Sequence, residues 1–164
     1  MTKLSLTLVQ SHLHWENPEK NRSHLEALLS DTHQTDLIVL PELFNTAFSV
    51  TYSGEPMNGK TIKWMSSLAK EKKASVVGSL IITENGNKYN RLIWMSPDGS
   101  HQHYDKRHLF GMMDEATYFK AGKDRLIIDF KGWKICPLIC YDLRFPVFSR
   151  NNVNFDLMLY VANW

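Results

Sequence analysis

Two stretches of this chain are apolar and then stop at a side chain capable of chemistry. Asp36-Leu-Ile-Val-Leu-Pro-Glu42 holds four apolar residues in a row, two of them β-branched, and Trp133-Lys-Ile-Cys-Pro-Leu-Ile-Cys140 ends on a thiol. A short apolar run without alternation reads as a strand covered on both faces, which requires layers on either side of a sheet. Pro41 closes the first strand, because proline cannot extend the ladder. Glu42 is therefore a carboxylate delivered to the end of a buried strand, where the ligand crevices of α/β sheets lie. Desolvation there raises a carboxyl pKa and suits it to accept a proton from a thiol. The plainer role for Glu42 is to cap a turn or pair with a neighbouring base.

Cys140 opens the segment Cys140-Tyr-Asp-Leu-Arg-Phe-Pro146. A thiol held on a sharp turn at a strand end, with free N–H groups beside it, has the geometry of a covalent catalyst. A buried core cysteine is the competing reading, since free Cys is among the most buried residue types. A third segment, Tyr104-Asp-Lys-Arg-His-Leu-Phe110, is either a solvated charged loop or the carrier of a fixed ammonium at Lys106.

Periodicity between these segments gives a βα alternation first and β-rich structure afterwards. Lys3–Val9 is expected as a strand, and Asn17-Pro18-Glu19 starts a helix with a capping side chain and a first-turn proline, burying Leu25, Leu28 and Leu29. The strand Leu37–Leu40 follows, then the aperiodic stretch Phe44–Gly59, then a helix over Thr61–Lys73 that buries Ile62, Met65, Leu68 and Ala69. Lys70-Glu-Lys-Lys73 is its exposed end. Strands Ser75–Ile82 and Tyr89–Met95 flank the turn Glu84-Asn-Gly-Asn87, and Ser96-Pro-Asp-Gly99 turns the chain into His101–Tyr104. Arg125–Phe130 and Trp133–Ile139, joined by Lys131-Gly132, suggest an antiparallel hairpin. Phe145–Asn151 begins a helix, and Asp156–Val161 reads as one more buried strand.

Taken together, Leu-Pro-Glu42, Tyr-Asp-Lys106-Arg-His-Leu-Phe and Cys140-Tyr-Asp-Leu-Arg-Phe-Pro resemble, in that order, the nitrilase or carbon–nitrogen hydrolase superfamily. Within it the chain is most similar to the omega-amidase branch, which hydrolyses the terminal amide of 2-oxoglutaramate and related 2-oxo acid amides. The resemblance implies an α/β fold, a nitrilase-like α-β-β-α sandwich, with Glu42 as general base, Lys106 as oxyanion-stabilising cation and Cys140 as nucleophile. A second active-site glutamate of the family falls on Glu115, within Asp114-Glu-Ala-Thr-Tyr-Phe-Lys-Ala-Gly122. The Tyr141 backbone N–H is expected as the second oxyanion donor. The scheme implies a small amide and water as reactants, no metal or organic cofactor, and a homodimer. It also implies that residues 1–164 form one domain covering roughly the family's first two-thirds and lacking its C-terminal portion. A carbamoylase or nitrilase activity, or an inactive truncated homologue serving as an interaction module, are the alternatives.

Two further residues are candidates for the substrate pocket. A 2-oxo acid amide carries a carboxylate, and Arg144 is the cation offered for it, unless that arginine braces the turn with Asp142. Phe44, with Phe48 and Tyr52, either walls a pocket or covers the core.

Composition narrows the remaining choices. With 164 residues, 43% hydrophobic and 22% charged, the chain reads as one soluble globular domain. A net charge of +2 predicts neither a nucleic-acid footprint nor a membrane-surface partner. No signal peptide or membrane-spanning run is visible, so the expected compartment is the cytoplasm, where thiols stay reduced. Cys136 and Cys140, four residues apart on a strand at ~3.3 Å each, lie about 13 Å apart, beyond the reach of a disulfide. Their spacing does not match a zinc site either, and the pair His101 and His103 reads as two partly exposed histidines.

Overall fold

The computed structural model describes residues 3–32 and 34–163. Its first sheet has five strands in sequence order: β1 (Leu6–Leu8), β2 (Leu37–Val39), β3 (Ser75–Glu84), β4 (Asn87–Met95) and β5 (His101–Asp105). The first three run parallel, which requires helical crossovers, and the last two add antiparallel through short turns. Asn85 and Gly86 both take positive φ (50° and 75°) between β3 and β4, as a tight hairpin of right-twisting strands demands.

The crossovers are α1 (Pro18–Leu29) and α2 (Lys60–Lys72). Asn17 caps α1 by accepting the Lys20 N–H, with proline in the first turn. Both helices lie on one face of the sheet, where Leu25, Leu29, Ile62, Met65 and Leu68 pack against Ile38, Leu40, Val76, Leu80 and Ile93. Leu28 departs from the expected stripe and is exposed. The buried position one turn before Leu25 belongs to Asn21, whose amide exchanges hydrogen bonds with the His14 backbone and donates to the Asn45 carbonyl. The stripe therefore follows the i, i+4 ridge 21–25–29, and its polar member holds two loops.

The second sheet is β6 (Ile128–Phe130), β7 (Trp133–Ile139) and β8 (Leu157–Val161), with β7 central, antiparallel to β6 and parallel to β8. Its Ile128, Ile135, Leu138, Ile139 and Val161 meet Leu37, Val39, Val77, Leu92 and Trp94 from the opposite face of the first sheet. The layers thus run helix, sheet, sheet. The elements α3 (Glu115–Tyr118) and α4 (Pro146–Ser149) are single turns, shorter than the Phe145–Asn151 pattern suggested. Cys136 is buried and both cysteines are free. No helix among the described residues is long and apolar enough to cross a membrane.

Candidate active site

The carboxyl ends of β2, β5 and β7 open at the same end of the sandwich, and each delivers one reactive side chain there. Beyond β2, residues 40–44 continue alongside β3 through bonds from Leu40 N–H to the Val77 carbonyl and from Phe44 N–H to the Ser79 carbonyl. Glu42 is carried inward on this extension and is completely buried. Its own N–H donates to the Ala162 carbonyl (3.3 Å), tying it to the end of β8 in the other sheet.

Lys106 follows β5 directly. Its N–H donates to the Asn90 carbonyl (2.9 Å) and its carbonyl accepts from Gly122 N–H (3.0 Å). A side chain at Gly122 would put its Cβ 2.1 Å from the Asp105 carbonyl oxygen, so only glycine fits beside the lysine segment. The ammonium lies between two carboxylates, 2.8 Å from Glu42 Oε1 and 2.7 Å from Glu115 Oε2, with all three side chains fully buried. Glu115 stands in the first turn of α3, where the Phe110 N–H also donates to its Oε2 (2.6 Å).

Cys140 begins a 3₁₀ turn (Cys140–Arg144) at the end of β7 with φ +39°, a left-handed conformation unfavourable for a residue with a side chain. That backbone turns the chain at the strand end, with Cys140 half-buried against the inter-sheet core, and leaves the first N–H groups of the turn without partners inside it. The thiol lies near the Glu42 carboxyl and shares a pocket wall with Asn163, and Glu42 Oε2 accepts no hydrogen bond among the described residues. Cys140 and Lys106 face one pocket of 220 Å³, lined also by Phe48, Phe110, Met113, Tyr141 and Asn163.

Burial pushes the Glu42 carboxyl above its usual range, against the pull of Lys106. For Lys106, burial alone would favour loss of the proton, but Glu42 and Glu115 outweigh it and hold the ammonium above the ordinary lysine value. The Cys140 thiol is pushed up to about 12, first by burial and then by the Glu42 charge. At neutral pH the site therefore rests as a thiol beside a carboxyl group, with a permanent cation a few ångströms away. This differs from the free-thiol value near ~8.5 that the sequence alone would assign.

The structure brings Glu42, Lys106, Glu115, Cys140 and Tyr141 together. It does not bring Phe44 or Arg144 into the pocket. The Phe44 ring is fully buried among the helix-facing residues, 5.7 Å from Trp64, over Gly78 of β3 where any Cβ would collide with it. Phe48 takes the pocket position, with the Lys106 Nζ 5.6 Å from its ring centre. Arg144 lines a separate surface groove with Arg107, His108 and Pro146. Sequence reasoning missed Asn90, a buried residue of β4 whose Nδ2 donates to Glu42 Oε1 (2.9 Å) and Glu115 Oε1 (3.0 Å). Its one signal was an amide preceding the apolar stretch 92–95, which reads equally well as a solvent-facing position. Among the described residues no group of three His, Cys, Asp or Glu side chains is arranged to hold a metal ion.

A protonated thiol, a carboxyl group near it and a fixed ammonium around one pocket form the equipment of acyl transfer through a covalent intermediate. The chain belongs to the carbon–nitrogen hydrolase family, whose model matches residues 5–162. It is similar to the omega-amidase YafV of Escherichia coli K12, at 41% identity over 165 residues, covering 100% of this chain and 64% of that protein. The 2-oxoglutaramate amidase of Bacillus subtilis is 28% identical over 170 residues, covering 99% and 66%. In structure the chain is similar to XC1258 of Xanthomonas campestris, a CN-hydrolase superfamily protein with an arsenic adduct in its active site. There the TM-score is 0.96 at 43% identity, over 100% of this chain and 66% of that one. The chain thus spans less than two-thirds of the length of the omega-amidases it matches.

Proposed function

We propose that this chain carries the catalytic residues of an amidase that releases ammonia from the terminal amide of a small 2-oxo acid amide, through a thioester on Cys140. The observation that carries this reading is the Lys106 ammonium, held between Glu42 and Glu115 on the wall that faces the Cys140 sulfur. Glu42 takes the thiol proton as sulfur attacks the amide carbon, so no free thiolate accumulates beforehand. The carbonyl electron pair moves onto oxygen, and that oxyanion accepts from Lys106 and the Tyr141 N–H. Glu42 then returns the proton to the nitrogen, the C–N bond breaks and ammonia departs. The same carboxylate removes a proton from water, which attacks the thioester. The acid leaves and the proton goes back to sulfur.

Lys106 has three N–H donors, and two are held by carboxylates. The third remains for the oxyanion, and the two held bonds fix where it points. Loss of one such donor typically costs about 10²–10³ in kcat. The 2-oxo acid identity is supported by likeness to the omega-amidases and to 2-oxoglutaramate amidase. Apart from Lys106, the described residues lining the pocket carry no positive charge, and Arg144, which lines a different groove, does not supply the contact for a substrate carboxylate.

Ammonia release from 2-oxoglutaramate, an N-carbamoyl amino acid and a nitrile, measured side by side, tests the proposal. Fastest turnover of 2-oxoglutaramate is expected. Preference for the carbamoyl compound, with carbon dioxide as co-product, or for the nitrile, would replace the substrate assignment.

A further inference from the structure

We propose that Asp142 is a positioning residue, a buried carboxylate that latches the loop bearing Lys106 to the elbow bearing Cys140 and so sets the distance between ammonium and sulfur. The inference rests on the reading of those two groups as the reacting pair. Asp142 is completely buried, two residues after Cys140 in the 3₁₀ turn. Its Oδ2 accepts from the Tyr104 hydroxyl (2.7 Å) and the Ile139 N–H (3.1 Å). Its Oδ1 accepts from the His108 N–H (3.0 Å) and lies 2.7 Å from His108 Nδ1.

These partners fall into two sets. Tyr104 and His108 lie two residues on either side of Lys106, and the Tyr104 hydroxyl also accepts the Arg107 N–H (3.0 Å). Ile139 immediately precedes Cys140. One side chain therefore grips the backbone around both reactive residues, which come from different sheets. The His108 ring adds a second clasp, stacked 3.7 Å from Phe145 at the far end of the turn. None of these groups lines the pocket, so the latch acts through placement rather than by touching substrate.

The chemistry of the carboxylate explains why the isosteric amide does not serve. An ionised Asp is acceptor-only on both oxygens and can face four donors at once. Asn would turn an NH₂ group toward two N–H or O–H donors, and the turn would have to open. A displacement near 1 Å at a reacting centre costs on the order of 10²-fold in rate.

Asp142→Asn and Tyr104→Phe in the full chain test this against the unchanged protein, with kcat, KM and alkylation of each cysteine by iodoacetamide read together. The expected result is a fall in kcat of about 10²-fold for Asp142→Asn and a smaller fall for Tyr104→Phe, with KM little changed. Cys140 should alkylate faster, because a loosened elbow relieves the burial that keeps its thiol protonated, while Cys136 in β7 stays protected. Unchanged kcat and Cys140 alkylation in both variants would overturn the latch. So would a loss of kcat matched by equal exposure of Cys136, which signals general loosening. If Asp142→Asn does not fold, Tyr104→Phe decides by the same readings. If the unchanged chain turns over no amide, the proposed function fails by itself, and Cys140 alkylation alone decides the latch.

Discussion

Lys106 is where the electrostatics of the site are concentrated. A fully buried ammonium survives because two carboxylates stand within 3 Å of it, and those carboxylates survive because Lys106 and Asn90 lie between them. Replacing it by methionine leaves two buried acids without their cation, and breaking a buried pair in this way costs about 3–5 kcal/mol. The native variant would then retain protons that the unfolded chain has released, so its stability falls as pH rises above the ordinary carboxylate range. Thermal melts of Lys106→Met should give a higher midpoint at pH ~5 than at pH ~8, straddling the carboxylates' climb from about 4.3. Equal midpoints would show that the carboxylates do not depend on the lysine. Glu42 supplies a second pH signature. Its raised carboxyl takes up a proton at a higher pH than an ordinary glutamate as pH falls, so the acid limb of kcat/KM should lie above 4.5. Glu42→Gln should lose that limb together with most of the activity. Glu42 and Cys140 stood out in the sequence because each follows an apolar strand pattern that ends abruptly, whereas Lys106, in a segment that also reads as a solvated charged loop, stood out through the family resemblance. Asn90 did not stand out, because a polar residue inside a strand carries no mark of which face is covered.

The strands act as delivery arms, and their terminations matter more than their interiors. Pro41 ends the β2 run, Cys140 turns with a positive φ after β7, and Gly122 lets the chain pass directly over the residue before Lys106. Gly122→Ala forces a Cβ against backbone, where neither partner can give way by rotating a side chain. Overpacking of this kind costs typically about 1–3 kcal/mol. The variant should show a lower Tm and a lower kcat, since the displaced segment carries the lysine. A lower Tm with unchanged kcat would mean that the strain relaxes away from the site. Helix α1 shows where periodicity misleads. Leu28 fits an apolar count but faces solvent, whereas Asn21 fits none and is buried because two loop carbonyls and one N–H need its amide. Phe44 was ambiguous for a related reason: only the bare backbone of Gly78, in another strand, makes room for its ring in the core.

At the scale of the whole molecule, two sheets packed face to face hold residues 42, 106 and 140 at one end, although they are dispersed along the chain. Most element positions were readable from period and turn chemistry, including the hairpins whose Asn85-Gly86 and Lys131-Gly132 links adopt positive φ. The assignment of strands to two sheets was not readable, because the side-chain alternation of β7 does not say which sheet it will pair with. The pairing of β7 with β8 places the end of β8 against both Glu42 and Cys140, through Ala162 and Asn163. Convergence of these arms on one sulfur is the central claim, and a trapped acyl group tests it most directly. With 2-oxoglutaramate and hydroxylamine present, the account predicts a hydroxamate product. It also predicts, after acid quenching, an acyl mass on the peptide containing Cys140, with both signals lost in Cys140→Ser. Hydroxamate formation that persists in Cys140→Ser, or an acyl mass on Cys136 instead, would contradict it.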